Sequence, residues 1–226
     1  NNFSNKIQTF HCPARSLNFP FTWTDYTVGI VSSFSLFIPF RIINQIPFIN
    51  IHPSLLPQWR GPAPIQYTIL NGQDRTGVSI IDLHPKTIDA GSILAQEHLN
   101  IPLDIKYQEL EDNLAEMGGR ITAQVLNNFD QFWKNRREQE ETGASLSKKI
   151  SKSNGIISFK TDSFQTISRK FRALSHQIPI KTLDLIPNKQ VILEDILLNI
   201  SNTNYTKIVY DNSIKSVLFP VENGVV

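Results

Sequence analysis

Two polar residues that suit acyl transfer lie two positions apart at the end of an apolar run. They are Asn50 and His52, and they alternate with Ile49 and Ile51. Side chains alternate in a β-strand, so we expect the amide and the imidazole on one face and the isoleucines on the other. An amide can hold a carbonyl oxygen while an imidazole moves a proton. A polar strand end is the alternative, and the pair taken alone favours it.

The residues around this pair form motifs that narrow the choice. They read NIHPSLLP at 50–57, RGPAPI at 60–65, TGVSI at 76–80 and DAG at 89–91. This set resembles the formyltetrahydrofolate-dependent formyltransferases. Upstream, SFSLFIP at 33–39 is similar to the folate loop of that family, with Ser35 where glycine is usual. The resemblance covers about residues 25 to 195.

Two further motifs are similar to one branch of the family. ASLSKKISKSNGIISF at 144–159 and RAL at 172–174 resemble the start of the C-terminal tRNA-binding domain of the branch that formylates initiator methionyl-tRNA. The resemblance therefore implies 10-formyltetrahydrofolate as the formyl donor and initiator methionyl-tRNA as the acceptor. It implies no metal.

The resemblance implies a catalytic triad of Asn50, His52 and Asp89. Formyl transfer from N10 of folate to an amine needs a stabilised carbonyl oxygen, a proton removed from the amine and a proton given to the departing nitrogen. Asn50 suits the first task and His52 the proton transfers, while Asp89 would orient the imidazole and favour its charged form. Gly91 would let the backbone approach the ligand. Without the resemblance, Asp89 is more often a turn residue.

The family's folate contact matches two segments of this chain. A narrow slot for the flat pterin, bordered by backbone hydrogen-bonding groups, is expected there. Its residues are Ser54, Leu55, Leu56 and Pro57, with Phe34, Ser35, Ile38 and Pro39 from the upstream loop. A structural turn that packs on the next helix is the alternative interpretation of residues 54–57.

Positive charge is concentrated in one part of the chain, although the net charge is only +2. Between residues 145 and 181, eight lysines and arginines stand against the single acid Asp162. Such a distribution indicates a surface for a polyanion, and a solvated lysine-rich linker is the alternative. The predicted tRNA phosphate contacts are Lys148, Lys149, Lys152, Arg169, Lys170 and Arg172.

The predicted fold class is α/β. At 226 residues and 40% apolar content, the chain can bury one core and part of a second. We expect a parallel-sheet, Rossmann-like formyltransferase domain at 1–134, a linker at 135–147 and a small OB-like β-barrel at 148–226. Compared with the family, the first strand-helix units and the end of the barrel are expected to be missing.

The coarse element pattern supports this division. Strands are predicted over Tyr26–Ser32, Phe48–His52, Gly77–Leu83 and Ile93–Leu99, and later over Val191–Leu193, Lys207–Tyr210 and Ser216–Phe219. Helices are predicted over Pro64–Leu70, over an apolar stripe from Leu110 to Phe129, and over Thr166–Ala173.

Composition limits the other function classes. One cysteine, Cys12, allows no disulfide framework or thiolate zinc site and fits a reducing compartment. No apolar run reaches membrane-spanning length, so no membrane partner is expected. The remaining histidines have no ligand-spaced neighbours. We expect a monomer in the mitochondrial matrix, with the bacterial cytoplasm as the alternative location.

Two rival functions stay open from the sequence. One is a formyltetrahydrofolate-using transferase or hydrolase with a small-molecule acceptor, such as glycinamide ribonucleotide. The other is a non-catalytic RNA-binding relative that keeps the basic surface but has lost folate binding.

Overall fold

The computed structural model describes residues 22, 25–33, 38–84, 86–186, 189–194, 209–211 and 216–218. The strands are β1 (Gly29–Ser32), β2 (Phe48–His52), β3 (Arg75–Asp82), β4 (Ile93–Asn100), β5 (Ile156–Ile157), β6 (Ile180–Ile186), β7 (Lys189–Leu193), β8 (Val209–Asp211) and β9 (Ser216–Leu218). The α-helices are α1 (Phe40–Ile43), α2 (Pro64–Leu70), α3 (Tyr107–Asn127), α4 (Phe129–Lys134) and α5 (Phe164–Leu174), and a 3-10 helix spans Lys152–Gly155.

The central sheet is mixed, with the strand order β1-β2-β3-β4. β1 and β2 run parallel, whereas β3 is antiparallel to both β2 and β4. The α/β class is confirmed, but the prediction of a parallel sheet is wrong for β2, β3 and β4. The connection between β3 and β4 contains no helix in its described residues, and a parallel neighbour would need a long crossover there.

Helix α3 covers one face of this sheet, as its apolar spacing predicts. Its buried positions recur every three or four residues. Gly118 leaves room for Ile51, whose Cγ2 lies 3.0 Å from the place that a β-carbon would take. The predicted stripe extends to Phe129, but the helix is interrupted at Asn128, and Phe129 begins α4.

Helix α2 begins and ends as the sequence indicates. Pro64 occupies its first turn, where a missing backbone N–H costs nothing. The chain leaves the helix through Asn71 and Gly72, and Gly72 has a φ of +62°. This left-handed conformation favours glycine, so the predicted glycine stop is confirmed.

The later part of the chain contains two small sheets. β5 pairs parallel to β6, β6 pairs antiparallel to β7, and β8 pairs with β9 separately. Helix α5 is capped by Ser163, whose hydroxyl accepts a hydrogen bond from the backbone N–H of Thr166 at 3.2 Å. Its apolar face joins the same buried cluster as the central sheet, so the core continues across residues 135–147.

Residues 135–147, called here the connecting segment, lie along the first part of the chain. The backbones of Arg137 and Ile93 exchange two hydrogen bonds of 2.7 and 3.0 Å. Further on, Arg60 forms an isolated β-bridge with Leu146. The segment is therefore integrated into the structure around β4 and the loop after β2. Among the described residues, no helix combines the length and apolar character that crossing a bilayer requires.

Candidate active site

Three polar side chains from two elements meet beyond the end of β2. Asn50 and His52 are the alternating polar residues of that strand, and Asp89 lies in the loop between β3 and β4. Asn50 Nδ2 donates to Asp89 Oδ1 at 3.1 Å. His52 Nδ1 lies 3.6 Å from Asp89 Oδ2. The structure thus brings the predicted triad together, and its catalytic role stays a prediction.

The Asp89 carboxylate is held by protein donors on both oxygens. In addition to Asn50, the backbone N–H of Gly61 donates to Oδ2 at 2.9 Å. The side chain is only 12% exposed. Because its Nδ2 faces a carboxylate, the amide of Asn50 has a defined orientation, and one of its two hydrogens is left for another acceptor.

His52 is buried and has a defined partner for each ring nitrogen. Nε2 lies 2.9 Å from the carbonyl oxygen of Trp59, which can only accept, so Nε2 carries a hydrogen. Burial lowers the pKa of His52, and this outweighs the opposing effects of Asp89 and the Trp59 carbonyl. The neutral ring therefore presents the lone pair of Nδ1 toward Asp89. A proton taken up at Nδ1 would lie against the carboxylate.

The backbone around the site departs from ordinary geometry at three residues. Asp89 and Trp59 have φ values of +54° and +59°, and Gly61 has a φ of +117°. At Gly61, a β-carbon would also clash with the carbonyl oxygen of Ser147. Left-handed non-glycine residues persist only where surrounding contacts fix them, and such residues are concentrated at functional sites.

Gly91 has a different role from the expected approach to a ligand. A β-carbon at this position would clash with the carbonyl oxygen of Asp82. The backbone N–H of Ser92 donates to Asp82 Oδ1 at 2.5 Å in the same turn. Glycine is therefore required by the close approach of protein backbone to protein backbone.

The predicted folate residues 54–57 form a loop with alternating burial. Ser54 and Leu56 are buried, while Leu55 and Pro57 are half-buried. The hydroxyl of Ser54 donates to the carbonyl of Gln58 at 2.6 Å. The side chains of Ser54 and Leu56 thus face the protein, and those of Leu55 and Pro57 are better placed to meet a ligand. Folate contact at all four stays a prediction.

This loop is tied to the sheet by Ser79 of β3. The Ser79 hydroxyl accepts from the backbone N–H of Leu56 at 3.1 Å and donates to the carbonyl of Ser54 at 2.7 Å. Gln96 of β4 donates to the same hydroxyl and to the carbonyl of Leu56. Several backbone groups expected to bind the pterin edge are therefore used within the protein.

The upstream loop is described only in part. Phe34 and Ser35 lie outside the described residues. Ile38 and Pro39 are half-buried, and Pro39 is the residue before α1. Their contact with folate stays a prediction.

The six predicted tRNA contacts fall into two groups. Lys148, Lys149 and Lys152 are exposed. The other three are half-buried and engaged within the protein. The Arg169 guanidinium lies over the turn that ends α2.

The two remaining cations of α5 have specific partners. Lys170 forms an ion pair with Asp162 at 3.0 Å, and Arg172 donates to the carbonyl of Ile105 at 2.7 Å. Both contacts support the packing of α5, so the three exposed lysines are better placed for phosphate contact.

Sequence reasoning missed the residues that complete the site. Trp59, Gly61 and Gln139 bind members of the triad through backbone or side-chain groups. Gly61 belongs to the RGPAPI motif, which was a usable signal. Gln139 lies in the predicted linker, where no local pattern marked it.

Two other features lie apart from the triad. A cavity of about 310 Å³ is lined by residues 43–48 together with Asp82, Leu83 and Trp133. It adjoins Phe48, at the opposite end of β2 from His52. No group of three or more His, Cys, Asp or Glu side chains in the described part of the chain is arranged to hold a metal ion.

Similar proteins share both sequence and fold with this chain. It is 38% identical over 161 residues to the mitochondrial methionyl-tRNA formyltransferase of Homo sapiens, covering 70% of this chain and 41% of that protein. It is 33% identical over 198 residues to the methionyl-tRNA formyltransferase of Finegoldia magna, covering 87% and 60% respectively. The chain spans about half the length of the curated relatives it matches.

Solved structures support the fold assignment. A 4-N formyltransferase from Francisella tularensis matches with a TM-score of 0.64 at 20% identity, covering 78% of this chain and 73% of that one. HypX from Aquifex aeolicus, in complex with tetrahydrofolic acid, matches with a TM-score of 0.62 at 19% identity, covering 71% and 28%. Residues 24–126 match the family described as Formyl transferase. The chain belongs to the formyl transferase family.

Proposed function

We propose that this chain is a methionyl-tRNA formyltransferase. It would move a formyl group from 10-formyltetrahydrofolate to the α-amino group of methionine on initiator methionyl-tRNA. The observation that supports this most directly is the convergence of Asn50, His52 and Asp89, in a chain 31–38% identical to relatives of that name. Their location suggests the mitochondrial matrix, with the bacterial cytoplasm as the alternative.

The site geometry suits the chemistry step by step. The amine nitrogen attacks the formyl carbon, and negative charge develops on the formyl oxygen. The second hydrogen of Asn50 Nδ2 is available to bind that oxygen. The proton lost by the amine can pass to Nδ1 of His52, where Asp89 stabilises the resulting imidazolium.

The second half of the transfer reverses the proton's path. The bond from the formyl carbon to N10 breaks, and N10 keeps the electron pair. Protonation of N10 from Nδ1 of His52 then returns the imidazole to its neutral form. Because burial disfavours the charged ring, this return is favoured and His52 is ready for the next cycle.

The chain offers partial support for folate and tRNA binding. The half-buried Leu55 and Pro57 can provide apolar contact for a pterin beside the triad. Exposed Lys148, Lys149 and Lys152 provide positive charge for phosphates. We also propose the predicted division into a Rossmann-like catalytic domain at 1–134, a linker at 135–147 and an OB-like tRNA-binding domain at 148–226, acting as a monomer.

A formylation assay with several acceptors tests the proposal. The full chain is incubated with 10-formyltetrahydrofolate and either initiator methionyl-tRNA, glycinamide ribonucleotide or no acceptor. We expect formylation of the methionyl-tRNA alone. Transfer to glycinamide ribonucleotide, or formate release without an acceptor, would indicate a different member of the family. Absence of folate binding by calorimetry would favour the non-catalytic RNA-binding alternative.

A further inference from the structure

Gln139 of the connecting segment contacts the loop that carries Asp89. Its Nε2 donates to the backbone carbonyl of Asp89 at 2.9 Å and to that of Gly91 at 2.8 Å. Its Oε1 accepts from Arg60 Nε at 2.9 Å. Three hydrogen bonds therefore join this side chain to the two loops that surround the triad.

The orientation of the Gln139 amide is fixed by these partners. A flipped amide would place Oε1 against two carbonyl oxygens and Nε2 against a guanidinium. Both hydrogens of Nε2 are used, one on each carbonyl. The glutamine therefore acts as a two-point tie on the backbone immediately around Asp89.

The loop needs such a tie because of its conformation and exposure. Asp89 has a φ of +54°, which a non-glycine residue adopts at a cost of about 1–3 kcal/mol. Its neighbour Ile88 is 66% exposed, and Lys86 and Thr87 are exposed as well. Little apolar burial is thus available to hold the loop over the site.

The contacts of Gln139 and Gly61 close a ring around Asp89. Gly61 binds the Asp89 carboxylate, while Gln139 binds its carbonyl. Gln139 in turn accepts from Arg60, the residue next to Gly61. Arg60 is only 8% exposed, and its guanidinium pairs with Glu141 at 3.1 Å. Backbone and carboxylate of Asp89 are therefore held by groups that are themselves joined to each other.

We propose that Gln139 is a positioning residue for formyl transfer, which holds the Asp89 carboxylate against Asn50 and His52. The inference rests on the proposed function, and it assigns a task in the reaction to a residue of the predicted linker. Gln139 itself does not touch the reacting atoms. A displacement of about 1 Å at Asp89 is enough to lower turnover by about a hundredfold.

The test compares Gln139→Met with Glu140→Gln in the full chain. Methionine keeps the length and neutrality of the side chain but removes all three hydrogen bonds, whereas Glu140 is an exposed neighbour. Steady-state kinetics give kcat and the KM for folate. NMR of ¹³C-labelled histidine follows the titration of His52, assigned with a His52→Gln spectrum. Asp89→Asn gives the titration expected when the carboxylate is lost.

For Gln139→Met we expect kcat to fall about tenfold to a hundredfold, with the folate KM within about threefold. The His52 pKa should move down toward its value in Asp89→Asn, because Asp89 is the charged group that raises it. Glu140→Gln should match the wild type in both measurements. If Gln139→Met does not fold, Gln139→Asn applies the same criteria, since its amide is too short to reach both carbonyls.

An unchanged His52 titration would overturn the inference, and so would an altered titration with wild-type kcat. A lowered melting temperature alone would indicate a purely structural role and would also overturn it. The titration does not require turnover. Failure of the proposed function would instead appear as absent formyl transfer in the wild-type chain.

Discussion

At the scale of single residues, the site combines a buried neutral base with a carboxylate that several donors hold in place. The side chain of His52 is 5% exposed, and Asp89 is the charged group that acts on its pKa. Burial favours the neutral imidazole, and the carboxylate limits that effect. The balance keeps Nδ1 able both to accept and to release a proton near neutral pH.

Asn50→Ala should lower kcat by about two to three orders of magnitude, as expected for the loss of one oxyanion donor. The folate KM should change far less, because the amide would act mainly on charge that develops during transfer. Stopped-time formylation assays give both values. Asn113→Ala, on the exposed surface of α3, is the matched control. Near-normal turnover in Asn50→Ala would remove Asn50 from the mechanism.

The acid limb of the pH profile should report on His52. Formyl transfer needs the neutral ring, so kcat/KM should fall as pH drops through a His52 pKa below the ordinary value of 6.5. Asp89→Asn removes the carboxylate that raises this pKa. The limb of the variant should therefore move to lower pH, with a reduced plateau. A limb that moves to higher pH, or stays in place, would contradict the assigned roles.

At the scale of elements, the sheet supports the loop that follows β2. Ser79 on β3 binds both ends of the Ser54–Leu56 turn, and Gln96 on β4 reinforces it. Gln96 also accepts from Arg137 of the connecting segment at 2.9 Å. The position of the predicted folate loop thus depends on two antiparallel strands and on a segment about 80 residues further along the chain.

Ser79→Ala should destabilise the chain by about 1–3 kcal/mol, because it leaves buried backbone groups of residues 54 and 56 without their partner. It should also weaken folate binding. Thr122→Val is the matched comparison, since the Thr122 hydroxyl is buried without a hydrogen-bond partner among the described residues. That change should be neutral or stabilising by up to about 1 kcal/mol. Urea unfolding followed by fluorescence gives both free energies.

A similar loss of stability in the two variants would mean that packing, and not the Ser79 hydrogen bonds, determines the effect. Folate affinity measured by calorimetry then separates the role of the loop from the stability of the fold.

At the scale of the whole molecule, one continuous core joins the central sheet to α5 and β6. Ile157, Ile167 and Leu174 belong to the same buried cluster as Ile49 and Leu110. The exposed lysines of residues 148–152 follow directly on the connecting segment, which also contacts the triad loops. Basic surface and site are therefore attached to one packed unit.

Binding of methionyl-tRNA should weaken steeply as salt rises, because phosphate binding releases counterions. Replacing Lys148 and Lys149 by Gln should reduce the slope of log Kd against log salt by about 0.7–0.9 for each lysine that binds a phosphate. Lys170→Gln is the control, because that ammonium is already paired with Asp162. Filter binding over a salt series gives the slopes. An equal change in all variants would assign the effect to overall charge.

The sequence by itself determined what depends on neighbouring residues. The apolar spacing of α3, the left-handed stop at Gly72 and the shared face of Asn50 and His52 follow from helix and strand periods and from local backbone sterics. Motif spacing likewise indicated the family, which the matched residues 24–126 confirm. The assigned roles of the site residues and the domain boundaries stay predictions.

Only the tertiary structure decided which distant groups meet. The antiparallel direction of β3, the carbonyl over His52 and the tie from Gln139 to Asp89 follow from where the chain turns in three dimensions. Gln139 and Asp89 are 50 residues apart. No local pattern encodes such a pairing, because it depends on the packing of β4 and the connecting segment against the same loop.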